Sequence, residues 1–180
     1  QAMLDSEVFF RAAPPEKFPP DELSRMREEL GNWYTSRLGA SPPTGEAAPP
    51  SPAEWVSALS PSGVALQHAY LLHPTPTAAL NAPPPVPQPA DSPYEKMHDS
   101  IHPFWVSTLA RLGYEDVLLV DGVRGEVVYS VKKNMDFGAS MIRGPLAQSH
   151  AARAFRSAWE GEPGKVIFED AAPYLPANNE

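Results

Sequence analysis

The residues spaced most like metal ligands are His98 and His102, four apart and therefore on one face of any helix that carries them. Asp99-Ser100-Ile101 lies between them, not the Glu-x-x of a zinc protease, and the sequence offers no evident third ligand. We read the pair as packing or hydrogen-bonding groups and expect no metal. Asp121, Asp136, Glu169 and Asp170 are candidates for general acid–base work. All four fall at strand ends and turns, where acids also cap backbone. No nucleophile motif accompanies them: there is no GxSxG, no cysteine and no phosphate-binding GxxxxGK, and Gly122-x-x-Gly125 is a turn signature. The expectation is a chain that binds and does not turn over, without a cofactor.

The elements that would position these groups follow from composition and periodicity. The chain has 180 residues, 42% of them hydrophobic, a formal net charge of −8 and a pI near 5.1. A core is affordable at that size, and the acidic balance argues against nucleic acid and against an anionic membrane face. The absence of cysteine excludes disulfides and thiolate sites. No run of about 18 apolar residues is present.

Of 23 prolines, 19 lie at or before Pro103, so the two halves obey different rules. Pro14-Pro15, Pro19-Pro20, Pro42-Pro43, Pro49-Pro50 and the run Pro83 to Pro89 read as extended connectors. Between them, Asp21 to Leu38 carries Leu23, Met26, Leu30, Trp33, Tyr34 and Leu38 on one helical stripe, stopped at Gly39. Ser51-Pro52-Ala53-Glu54 has the layout of a capping box. Helices are also predicted over Pro61 to Leu72 and Tyr94 to Leu112, the second with Pro103 kinking or restarting it.

The period then changes. Tyr114 to Asp121 and Glu126 to Lys132 read as strands joined by Gly122-Val123-Arg124-Gly125. Val117 to Val120 is continuous enough to be covered on both faces. Ala151, Ala154, Phe155 and Ala158 mark a helix ending near Gly161, and Lys165 to Asp170 a third strand. The order of a helical region over 1–93, with Pro-rich connectors, and a long helix plus a β, β, helix, β unit over 94–180 gives an α+β class.

Several blocks make the reading more specific. ALQHAYLLHPTP (65–76), YEKMHDSIHPFW (94–105), LGYEDVLLVD (112–121), GEVVYSVKKNMDF (125–137), Gly144-Pro145-Leu146 and FEDAAPYLPANN (168–179) occur in one order. Together they resemble the periplasmic PAS-like (Cache-type) sensor domain of bacterial methyl-accepting chemotaxis proteins and related transmembrane receptors, over roughly residues 23–180. The resemblance implies an antiparallel PAS-like sheet preceded by long helices, in the extracytoplasmic part of an inner-membrane receptor that binds a small solute and relays a signal. Residues Leu4 to Arg11 would then continue from a membrane helix. Relatives usually carry a longer polar insert where this chain has Asn81 to Pro89. They also continue past Asn178-Asn179 into two further strands. A sheet without those strands would present an edge for pairing, and hence a homodimer. Ligand-independent dimerisation or protein docking is the alternative function.

A PAS-like pocket lies between the concave sheet face and the crossover segments. Period two sets Val127, Tyr129, Val131 and Lys133 on one face of the second strand, expected to look into the pocket, with the long helix on the opposite face. For an organic-acid or amino-acid ligand, the expected contacts are Tyr129, Lys133, Phe137, Arg143, Phe168, Asp170 and Tyr174. Arg143 would clamp a carboxylate, Phe137, Phe168 and Tyr174 supply apolar wall, and Asp170 meet an amine.

Overall fold

The computed structural model describes residues 18–39, 50–72 and 93–177. Helix α1 (Pro20–Leu38) forms on the expected stripe, burying Met26, Leu30 and Tyr34, with Asp21 and Glu22 at its positive N-terminal end. Gly39 ends it, donating its N–H to the Thr35 carbonyl. Helix α2 (Pro52–Ala58) begins with the complete capping box: Ser51 Oγ accepts from the Glu54 N–H, and Glu54 Oε2 accepts from the Ser51 N–H at 2.8 Å. Its Trp55 stacks on Tyr34 at 5.5 Å between ring centres. Helix α3 (Pro61–Gln67) is capped by Ser60 and continues as one wider π turn, His68–Leu72. Helix α4 (Pro93–Leu112) runs through Pro103 as one element, where one backbone bond is lost without a restart. Among the described residues, no helix is long and apolar enough to cross a membrane.

Strands β1 (Leu118–Val120) and β2 (Val127–Ser130) pair antiparallel, Leu118 with Ser130 and Leu119 with Tyr129. The register then slips, and Val120 faces Val127. One extra residue, Val128, is therefore accommodated as a bulge, which reverses the faces of the residues before it. The chain next turns back along the free edge of β2: Val127 N–H donates to Ala139 O at 2.9 Å, Gly138 N–H to Val127 O at 2.8 Å and Met141 N–H to Gly125 O at 2.7 Å. Helix α5 (His150–Glu160), capped by Ser149, follows. The architecture is α+β: a helical assembly around a small two-stranded antiparallel sheet.

The third strand expected at Lys165 to Asp170 does not form. The return segment 138–141 occupies the outer edge of β2, and residues 165–170 pair with neither strand. The segment instead lies over α5, held by Arg153 to Glu169 at 2.8 Å and His150 to the Asp170 carbonyl at 3.0 Å.

Two clusters lie on opposite sides of the hairpin. One joins Met26, Leu30, Tyr34, Trp55, Leu59 and Val64 to Val127, Met135, Met141 and Ala152, with Leu118 and Val120 against it. The other joins Leu66, Tyr70 and Tyr94 to Val128, Tyr129, Val131 and Phe137, with Val117 and Leu119 and the inner face of α4. The continuous apolar run of β1 is thus covered on both faces. α1 and α2 contribute to the first cluster only, whereas α3 contributes Val64 to the first and Leu66 to the second, with Tyr70 of its π turn. A close backbone approach locks α3 to the return loop: a Cβ on Gly63 would lie 2.3 Å from the Gly138 carbonyl oxygen, and Gly138 itself has φ +76°.

Candidate functional site

The second cluster contains a buried polar arrangement that burial of apolar groups does not explain by itself. It begins where β2 ends. Asp116 accepts from Ser130 Oγ at 2.8 Å and from the Val131 and Lys132 N–H groups at 3.0 and 3.2 Å. This hook folds the chain so sharply that Lys133 takes φ +54°, a left-handed conformation that costs a non-glycine residue about 1–2 kcal/mol. The Lys133 N–H donates to Ser130 Oγ at 2.9 Å, and its amine donates to the Ser130 carbonyl.

Turning back in this way drives Lys133 into the protein, where it is 7% exposed. Its Nζ lies 4.4 Å from the centre of the Tyr129 ring, 5.0 Å from Phe137 and 5.6 Å from Tyr70. An ammonium has three donors. One is spent on Ser130 and the other sides face aromatic rings, whose faces attract a cation. Among the described residues, no carboxylate pairs with it. Burial outweighs the attraction of Asp116 and pulls its pKa down to about 7.

Helix α4 supplies the roof. Tyr94, His98 and His102 recur every four residues and so stack along its inner face, all buried. The two imidazoles lie 4.5 Å apart and nearly parallel. His102 Nδ1 is 2.9 Å from the Tyr129 hydroxyl, and Tyr94 donates its hydroxyl to the Val128 carbonyl at 2.7 Å. His98 Nδ1 approaches Asp99 at 3.3 Å, while its Nε2 is buried without a partner among the described residues. Burial first, then Lys133 and His102, depress the His98 pKa to about 2. Asp99 is 59% exposed, so water screens the charge that would oppose this. His98 is therefore neutral. Burial also pushes Tyr70, Tyr94 and Tyr129 above the usual phenol range, so none is a phenolate at neutral pH.

Gln67 fixes the floor. Its Nε2 donates to the Met135 and Phe137 carbonyls at 3.1 and 2.7 Å, and its Oε1 accepts from Tyr34 at 2.9 Å. Phe137 is thereby held to α3, beside Tyr70 from the following π turn.

Of the seven contacts expected from sequence, the fold brings Tyr129, Lys133 and Phe137 together. The other four lie elsewhere. Arg143 is 57% exposed and pairs with Glu126 at 2.9 Å, because the close Gly125–Met141 pairing holds its loop at the hairpin tip. Phe168 is 89% exposed and Asp170 is exposed, since their segment forms no strand. Tyr174 donates its hydroxyl to Asp136 Oδ2 at 3.0 Å, on the other side of the loop. Asp136 is 2% exposed, its Oδ1 has no partner among the described residues, and burial pushes its pKa up to about 6.

The face assignment is also corrected. The long helix packs on the Tyr129 side of the hairpin, and Val127 lies on the other, because the bulge at Val128 breaks the two-residue alternation. Sequence reasoning missed Tyr70, Tyr94 and Gln67, and treated His98 and His102 only as a ligand pair. The Tyr94/His98/His102 repeat was a legible signal. Among the described residues, no third His, Cys, Asp or Glu joins the histidines in a metal-like group. An open groove of about 480 Å³ between α1 and α2 is separate, and Arg27 at its edge is occupied by the Val56 and Leu59 carbonyls.

No family model, curated protein or solved structure matches the chain.

Proposed function

We propose that this chain is an extracytoplasmic sensor domain of a chemotaxis-type transmembrane receptor, which binds a small solute between α4 and the β1–β2 hairpin. The ordered sequence blocks support the receptor type. The observation that carries ligand binding is the Lys133 amine, enclosed by Tyr70, Tyr129 and Phe137 with no carboxylate partner among the described residues. Burying a cation in this way lowers stability. Perturbed groups retained against stability concentrate at functional sites.

The arrangement supports a relay. Tyr70 belongs to the π turn after α3, His98 and His102 to α4, and Lys133 to the segment after β2. A solute touching all three couples two helices to the hairpin. A hundredfold preference for one helix arrangement, about 2.7 kcal/mol, tilts a balanced two-state element. Differential scanning fluorimetry against a broad solute panel tests the reading. We expect stabilisation by at least one solute class, abolished in Lys133→Met; a flat response across the panel refutes direct sensing.

Ligand-independent docking or dimerisation has its own support. Val166 and Phe168, on the arm that forms no strand, are 70% and 89% exposed, with Trp159 60% exposed on the neighbouring helix. Concentration-dependent mass in light scattering, lost in Phe168→Ser, would favour it.

A further inference from the structure

We propose that Asp136 is a proton-binding site that gates a C-terminal strap, residues 171–177: with its carboxyl protonated the strap stays closed over it under Tyr174, and ionisation favours release of the strap into water. This second input goes beyond the sensor reading above and does not depend on solute binding.

The strap is attached at few points. Upstream of it, Arg153 pairs with Glu169 at 2.8 Å and His150 with the Asp170 carbonyl at 3.0 Å, which ties the chain to α5. Beyond Asp170, among the described residues, the one hydrogen bond from 171–177 to the rest of the protein runs from the Tyr174 hydroxyl to Asp136 Oδ2, at 3.0 Å. The Ala177 N–H only closes a 3₁₀ turn on the Tyr174 carbonyl. Apolar contact supplies the remainder: Tyr174 and Leu175 lie half-buried against the first cluster, and Pro176 is buried. The other neighbours of Asp136 are locked in place. Gln67 fixes the Met135 and Phe137 carbonyls on either side of it, Tyr34 is fully buried on α1, and Asp116 is committed to the Ser130–Lys132 hook. The strap is therefore the wall around this carboxyl that leaves most easily.

While the strap is closed, the carboxyl holds a proton better than a charge. Its Oδ1 is buried with no hydrogen-bond partner among the described residues, so ionisation leaves one charged oxygen dry. The titratable groups that bear on it, among the described residues, are Asp116 from the segment before β1, Tyr34 from α1 and Tyr174 from the strap. Asp116 repels a second negative charge, and burial keeps both tyrosines neutral. Lys133, in the same loop, turns to the opposite cluster among Tyr70, Tyr129 and Phe137. The backbone N–H groups of Asp136 and Phe137 lie near, but the second already donates to the Asn134 carbonyl. Burial first, then Asp116, outweigh these and the Tyr174 bond, and lift the pKa from 3.8 to about 6. An open strap returns the carboxyl to water and to its ordinary value. The closed form thus binds the proton more tightly, so opening becomes easier as pH rises from about 4 to about 6 and levels off above that.

The chain has no cysteine, so a single introduced one reports opening through its protection from a thiol reagent, measured against the same cysteine in a short peptide at each pH. In Leu175→Cys we expect protection to fall more than tenfold between about pH 4.5 and about pH 7.5, as the shift from 3.8 to about 6 requires. Adding Asp136→Asn, which keeps an acceptor for Tyr174, should hold protection at its low-pH level throughout. Ala152→Cys, fully buried in the first cluster on α5, reports unfolding of the whole chain and should be protected at least tenfold better. Protection at position 175 that ignores pH, that keeps its pH dependence in Asp136→Asn, or that only equals that at position 152 overturns the inference and leaves the sensor reading untouched. Should a variant fail to fold, wild-type ¹³C NMR decides: the Asp136 carboxyl and the Leu175 methyl signals must titrate together near pH 6, and a carboxyl midpoint near pH 4 rejects the gate.

Discussion

Lys133 Nζ stands 4.4 Å from the centre of the Tyr129 ring, although the two residues were expected on one flat strand face and only one of them is on a strand. The meeting is made by the turn after Ser130, which Asp116 holds with three hydrogen bonds, and by the left-handed backbone of Lys133. An amine so placed is a source of instability in the fold.

That instability has a definite pH dependence. The Lys133 pKa is about 7 in the folded chain and near 10.5 when exposed, so between those values the unfolded chain binds more protons. Stability contributed through this group therefore rises from pH 7 to about 10.5. Lys133→Met should raise the melting temperature at pH 7 and flatten that rise, by a few kcal/mol in chemical denaturation. A destabilised methionine variant would show that the amine supports the fold.

His98 and Asp136 act in opposite senses below neutrality. The folded pKa of His98 is depressed to about 2, so its contribution to stability falls as pH drops below about 6.5. That of Asp136 is raised to about 6, so its contribution falls as pH rises from about 4 to 6. Asp136→Asn keeps an acceptor for Tyr174 and removes the buried charge. It should stabilise the protein at pH 7 by roughly 2 kcal/mol and by much less at pH 4, read from urea midpoints at the two values.

Gln67 bonds three buried groups, the Tyr34 hydroxyl on α1 and two carbonyls of the 135–137 loop. Gln67→Met preserves volume but leaves the Tyr34 hydroxyl with only its long contact to Met135 O and strips donors from two carbonyls. The expected cost is about 2–4 kcal/mol, larger than for a surface glutamine, with looser hydrogen-exchange protection in residues 135–138. Wild-type protection there would remove Gln67 from the account.

Gly63→Ala should be worse tolerated than a helical glycine ordinarily allows. Alanine normally stabilises a helix by about 1 kcal/mol over glycine. Here its methyl would meet the Gly138 carbonyl oxygen at 2.3 Å, so α3 must move off the loop. A net loss of at least 2 kcal/mol is expected, and a gain would contradict the packing.

The helices were legible because their signals are local. The Leu23-to-Leu38 stripe, the Ser51/Glu54 box and the stop at Gly39 each act within a few residues, and all three appear as read. The third strand was not legible, because pairing depends on which edge is free, and the return of 138–141 along β2 has no periodic signature. The site was half legible. Tyr129 and Lys133 were named together through a two-residue period that the Val128 bulge breaks and the Ser130–Lys133 hook replaces. Arg143 looked like the anion clamp on charge alone, yet Glu126 neutralises it at the surface while Lys133 goes inside.

The account depends most on an amine held among three aromatic rings with no carboxylate partner among the described residues. Titration of the Lys133 side chain by ¹³C–¹⁵N NMR reads this directly. The prediction is a midpoint near pH 7. A midpoint at the ordinary lysine value would contradict it.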